Sequence, residues 1–288
     1  MSGKGFDTKY QLPNWCLFDY RSVEKNLEKM SAEGWKLENI GVLLWKYTRC
    51  SPEKKKYEVI FSKDNPEFEE LSKPHHLMLY SLCEEGGWKK EGQWRNMQIF
   101  SNADEEAEPL VTDESIRLNS IRRAMKGSYV LNNLMVFVCT LIVFQNNFNR
   151  YLADQTESYL WASIFTAYAC AVTAIMLVMY GIWVRLSERS IANGGSCADA
   201  RWINIVQNII LWGIFVLAAV YGILMKESMF KIISLIVICF LAVGCVGAIP
   251  GYMKGKGVSK TANILISLTL GVIILLIYVI VTVIMMNT

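Results

Sequence analysis

Histidine is almost missing from this chain: there are two residues in 288, and the two are neighbours, His75 and His76. Adjacent side chains on a helix point about 100° apart, so a shared metal is not expected there. The eight cysteines, Cys16, Cys50, Cys83, Cys139, Cys170, Cys197, Cys239 and Cys245, form no CxxC and make no close pairing with histidine, which removes the usual zinc and thiol-redox spacings. No cofactor or metal is therefore assigned. The first 30 or so residues are rich in charge and lack an apolar core, so no signal peptide is expected, and Cys16, Cys50 and Cys83 fit a reduced, cytosolic setting. A phosphate-binding GxxxxGK[ST] is also absent. Asn193-Gly194-Gly195-Ser196 has neither its lysine nor a preceding strand, so it reads as a flexible turn. No Ser/His or Ser/Lys constellation suggests catalysis, and Glu84 and Glu85 beside a Gly-Gly corner read as the solvated end of a helix. The sequence offers no catalytic residues, and enzyme activity is not expected.

Charge is the other scarce commodity, and its distribution is uneven. Residues 1–127 hold 20 Lys+Arg against 21 Asp+Glu, whereas residues 128–288 hold 9 against 5. The front half thus has a balanced soluble surface without the basic bias of a nucleic-acid binder. The back half contains five long apolar runs, at about 129–148, 159–184, 202–225, 230–250 and 262–286, whose cores carry no charged residue. Runs of about 20 residues match the roughly 30 Å of a bilayer's hydrocarbon, so residues 128–288 read as an all-α, five-span transmembrane bundle. Spans without ionisable groups do not suit proton relays, ion-coupled transport or voltage sensing. Their polar residues, among them Asn132, Thr173, Asn204 and Gln207, read as hydrogen bonds between helices. Small residues spaced by four, such as Ser163/Ala167/Ala171 and Ala218/Gly222, mark packing faces, and Gly244, Gly247, Ala248 and Gly251 form the strongest such groove.

Loop charges set the expected orientation. Arg117, Arg122, Arg123, Lys126, Arg185, Arg189, Arg201, Lys254, Lys256 and Lys260 fall on one side, while the other has only Arg150, Lys226 and Lys231. This positive-inside pattern predicts a multi-pass protein of the cell membrane with its N-terminus in the cytoplasm and its C-terminus outside.

In the front half, residues 1–9 read as a tail and 10–101 as an α+β domain. Tyr10–Phe18 suggests an opening strand. The four-and-three spacing of Val23, Leu27 and Met30 predicts a helix over 21–33 with Gly34 as its cap. Residues 35–49 suggest one strand, Ser51-Pro52-Glu53-Lys54 a turn, and Tyr57–Phe61 its hairpin partner. A helix over 66–85, a stop at Gly86-Gly87-Trp88 and a strand over 93–100 follow. The corners Gly34-Trp35 and Gly87-Trp88 match, with Tyr57–Phe61 answering Met97–Phe100, so the domain reads as an internal duplication in the order β-α-β-β-α-β, a ferredoxin-like sandwich. Residues 102–127 are a connector. An acidic stretch, Asp104 to Glu108, precedes a helix with Ile116, Leu118, Ile121, Ala124 and Met125 on one side and Arg122, Arg123 and Lys126 on the other. With Arg117, these basic residues are candidates for contact with lipid headgroups.

The aromatic strand, the acidic helix ending in Glu33-Gly34-Trp35, the Tyr57–Phe61 strand and the second corner at Gly87-Trp88 together resemble the bacterial family catalogued as domain of unknown function 2812, over roughly residues 10–110. The resemblance implies a bacterial membrane protein with a cytosolic front domain, in a family that often neighbours PadR-type transcription regulators. The family has no assigned catalytic residues to carry over. The expected function is non-enzymatic: sensing or signalling a membrane or partner state to a cytosolic regulator, with lipids and a protein partner or second copy as contacts. The alternative is an accessory subunit or small transporter for an apolar or amphipathic solute such as a lipid or a membrane-active peptide.

Overall fold

A computed structural model describes residues 7–41, 44–62, 80–81 and 83–225, together with 262, 266 and 269. The expected fourth and fifth spans, the groove at Gly244, Gly247, Ala248 and Gly251, and most of the helix expected over 66–85 lie outside the described residues.

The front of the chain forms β1 (Thr8–Gln11), α1 (Tyr20–Ala32), β2 (Trp35–Ile40), β3 (Trp45–Arg49), β4 (Lys56–Phe61), β5 (Lys89–Trp94) and β6 (Met97–Asn102). These six strands make two antiparallel three-stranded sheets of the same design, ordered β1-β3-β2 and β4-β6-β5. The ferredoxin-like order is therefore corrected: residues 35–49 hold two strands, and β4 pairs with β6 and not with β3. The physical reason is Gly41. Its N–H bonds to Leu44 O at 3.1 Å, and a Cβ there would lie 2.5 Å from that oxygen, so only a glycine permits the close approach that separates β2 from β3. Ser51–Lys54 then carries the chain from one sheet to the next. β1 also stops earlier than expected, because Pro13 has no N–H to give a ladder.

A duplication is visible, in a different alignment from the expected one. β4 opens the second unit as β1 opens the first, so β4 does not answer β6. In each unit a glycine with positive φ, Gly34 at 80° and Gly87 at 76°, ends a helix and turns the chain into a strand. Trp88 N–H bonds to Cys83 O at 2.9 Å and Gly87 N–H to Glu84 O at 2.9 Å, a Schellman closure. Four residues beyond each glycine, at Glu38 and Glu91, the strand bulges. The paired tryptophans differ, however: Trp88 is 2% exposed, whereas Trp35 is half-buried between Lys9 and Arg49.

α2 (Glu114–Met125) runs through a π-helical segment, Lys126–Leu131, into α3 (Asn132–Asp154), giving one continuous helical rod from Glu114 to Asp154. α4 (Glu157–Ala192) and α5 (Arg201–Leu224) follow. Among the described residues three helices are long and apolar enough to cross a membrane, at Tyr129–Asp154, Glu157–Ala192 and Arg201–Leu224, which associates the chain with one. The 36 residues of α4 extend about 54 Å, well past a hydrocarbon core of about 30 Å, so one end projects.

Candidate functional site

The projecting end of α4 is where the front domain docks. Phe18, fully buried in the loop before α1, packs at 4.7 Å from Trp183, 5.1 Å from Tyr180 and 5.7 Å from Tyr129, measured between ring centroids. The loop after α4 folds back beneath this contact: Trp183 Nε1–H donates to Ala198 O at 2.9 Å, and Ala198 N–H donates to Ser187 Oγ at 3.0 Å. As a result the core of the front domain (Val23, Leu27, Trp45, Val59) and the ends of the spans (Tyr129, Met179, Trp183, Ile203) form one hydrophobic cluster. Asn204, expected to bond between helices, instead reaches the front domain. Its Oδ1 accepts from Cys16 N–H at 2.7 Å and its Nδ2 donates to Asp19, the residue that caps α1.

The second tie is ionic. Arg117 is 6% exposed and sits in the first turns of α2 beneath β4. Its guanidinium donates to Glu58 Oε1 at 2.7 Å, Val111 O at 2.8 Å and Glu114 Oε1 at 3.0 Å, and stacks 5.1 Å from the Tyr20 ring. Glu58 is saturated from the other side by Leu110 N–H at 2.6 Å and Val111 N–H at 3.1 Å. Glu114 Oε2 accepts Cys197 N–H at 2.9 Å, which links the cluster to the loop between α4 and α5. A buried ion pair is tolerated only when its lone pairs and protons are satisfied in this way. Burial alone would push the Glu114 carboxyl up, but the Cys197 amide and Arg117 outweigh it and hold it below the ordinary value.

α1 closes the open edge of β4 with two carboxylates: Glu24 Oε1 accepts Val59 N–H at 2.9 Å and Glu28 Oε1 accepts Tyr57 N–H at 3.5 Å. Burial raises Glu24 to about 8, against the opposing pull of the Val59 N–H and Arg117. Burial likewise raises the thiols of Cys16, beyond the ordinary range, and Cys197, to about 11, so both stay protonated and are poor nucleophiles. The arrangement joins the front domain to the apolar helices through an aromatic contact at Phe18 and a buried ion cluster at Arg117.

The residues expected at lipid headgroups separate. Arg117 is corrected: it is withdrawn into the ion cluster, and Ile116 takes the exposed position at 61%. The two exchange because Arg117, spaced by four and seven from Ile121 and Ala124, lies on the buried stripe of α2. That spacing was the sequence signal for Arg117. Glu58 carried none, because it occupies an ordinary polar position in an alternating strand. Arg122, Arg123 and Lys126 are exposed, and Arg122 bonds Glu188 on α4 at 2.7 Å. Ala218 and Gly222 are buried in α5, in keeping with a packing face.

Neither the curated proteins nor the solved structures contain a match to this chain. A family model described as "Protein of unknown function (DUF2812)" matches residues 19–132, from the cap of α1 through β2 to β6, the Arg117 cluster and the π segment. Residues 19–132, which take in α1, β2 to β6 and the helix clamped to them, thus match the DUF2812 family of proteins of unknown function.

Proposed function

We propose that this protein is a membrane-tethered reporter: its helices cross the cell membrane, its front domain lies on the cytoplasmic side, and a change in helix arrangement is passed to the front domain for a cytosolic protein to read. The observation that carries this reading is the rigid connection between the two parts. A single helical rod joins Arg117, locked inside the front domain, to the far end of α3, and a fully buried Phe18 plugs the ends of α3 and α4. A simple tether would need only a flexible linker. The π segment at Lys126–Leu131 lies where the rod leaves the front domain, and such irregular turns often mark functional positions. The surplus of basic residues on the docked side supports the cytoplasmic placement.

The test is hydrogen exchange of the full chain in vesicles of different lipid composition. Protection at Leu110, Val111 and Val59, whose amides bond Glu58 and Glu24, should change with the membrane. Phe18→Ala should abolish that response while the helices stay inserted. Equal protection in every membrane, or solute flux through the purified protein alone, would overturn the reading, and flux would favour a carrier.

A further inference from the structure

The geometry points to a binding site for the phosphodiester headgroup of an anionic lipid, built by two separate stretches of sequence at the docked end of the spans. The contact between Arg122 and Glu188 fixes the last turn of α2 beside the end of α4. This sets exposed Arg122, Arg123 and Lys126 at the same end of the helix pair as exposed Arg185 and Arg189, which lie within a turn of Glu188. Five cations share this collar with one acid, Glu188, which is bridged to Arg122. Among the described residues, no acid pairs with Arg123, Lys126, Arg185 or Arg189.

Depth selects the ligand. The apolar run of α4 ends at Val184, so Arg185 and Arg189 stand within about 8 Å of its edge along the axis, which is the thickness of a headgroup layer. Ile182 and Leu186, 44% and 43% exposed, lie on the same helical face as the two arginines and offer the acyl chains apolar contact beneath the phosphate. Arginine also suits this ligand, because its fork bonds two phosphate oxygens at once. A phosphate held between α2 and α4 would bridge the rod and its neighbour at the junction already described. This inference rests on the proposed placement of the helices in a bilayer.

The test uses the full chain in mixed vesicles of phosphatidylcholine and phosphatidylglycerol, with bound lipid counted by native mass spectrometry. Phosphatidylglycerol should be retained preferentially. Each cation removed should reduce that preference about fivefold, and Arg185→Gln with Arg189→Gln roughly 25-fold. Arg150→Gln, at the opposite end of α3, should leave the preference unchanged. The proposal is overturned if the two lipids are retained equally, if Arg150→Gln acts as strongly as the collar pair, or if inorganic phosphate in solution displaces the lipid, which would make this a site for free phosphate. Failure of the bilayer placement would be separate and visible, because the protein would then not float with vesicles of either composition.

Discussion

Replacing Arg117 by Met keeps the length of the side chain and removes its charge from a site 6% exposed. Breaking one half of a buried pair costs about 3–5 kcal/mol, mostly because the remaining charge is left uncompensated. Here the lower end applies, about 3 kcal/mol, because Glu58 keeps the Leu110 and Val111 amides at 2.6 and 3.1 Å. Glu58→Leu should cost more, about 5 kcal/mol, since it strands both the guanidinium and those two amides. The double variant loses both charges and leaves two amides without an acceptor, at about 1–3 kcal/mol each, so its cost should fall well below the sum of the singles. The assay is denaturant unfolding of the full chain in detergent, followed by the fluorescence of the buried Trp45, Trp88 and Trp94. An Arg117→Met cost under about 1 kcal/mol, or a double variant equal to the sum, would refute the assignment of the cluster as the clamp.

Glu24 sets a pH dependence. Its folded-state value of about 8 lies above that of an unfolded glutamate, so its contribution to stability is complete at low pH and is lost as pH rises toward 8. Melting temperature should fall across that window, and Glu24→Gln should flatten the slope; identical slopes would reject the burial of this carboxylate. Gly34→Ala should cost about 2 kcal/mol, because the new Cβ meets the Cys50 carbonyl at 2.8 Å in a left-handed backbone. Gly87→Ala should be milder, since its nearest neighbour is the Asn102 side chain at 3.2 Å, and denaturation midpoints of the pair decide the order. Trp88→Ala should cost about 3–5 kcal/mol and the half-buried Trp35→Ala less than half of that, so equal losses would contradict the observed asymmetry of the two corners. Cysteine labelling in sealed vesicles should place Lys56 and Ser196 on one side and Asn149 on the other; labelling of Ser196 and Asn149 from the same side would undo the docking geometry.

The three long apolar helices among the described residues were legible because their signal is local and large: a charge-free run of about 20 residues has few other uses. α1 was legible for the same reason, with Val23, Leu27 and Met30 announcing a buried stripe and Gly34 its end. Strand pairing was not. Residues 35–49 hold the antiparallel strands β2 and β3, and β4 chooses β6 over β3. Nothing inside a six-residue strand records which of two similar sheets it will join, because pairing depends on where the whole chain is carried.

The site was the least legible part. Composition alone determined that the protein has a balanced, charge-rich front and an apolar back, whereas the charge of Arg117 pointed to the headgroups although its spacing from Ile121 and Ala124 puts it on the buried stripe. Only the tertiary structure supplied Glu58 from a strand 59 residues away, turned Asn204 to the front domain, and brought Glu188, on the turn that carries Arg185 and Arg189, beside Arg122. The physical reason is that a helix or a span is stabilised by interactions among neighbours in sequence, whereas a buried charge is stabilised by whatever partner the fold brings to it, at any distance along the chain.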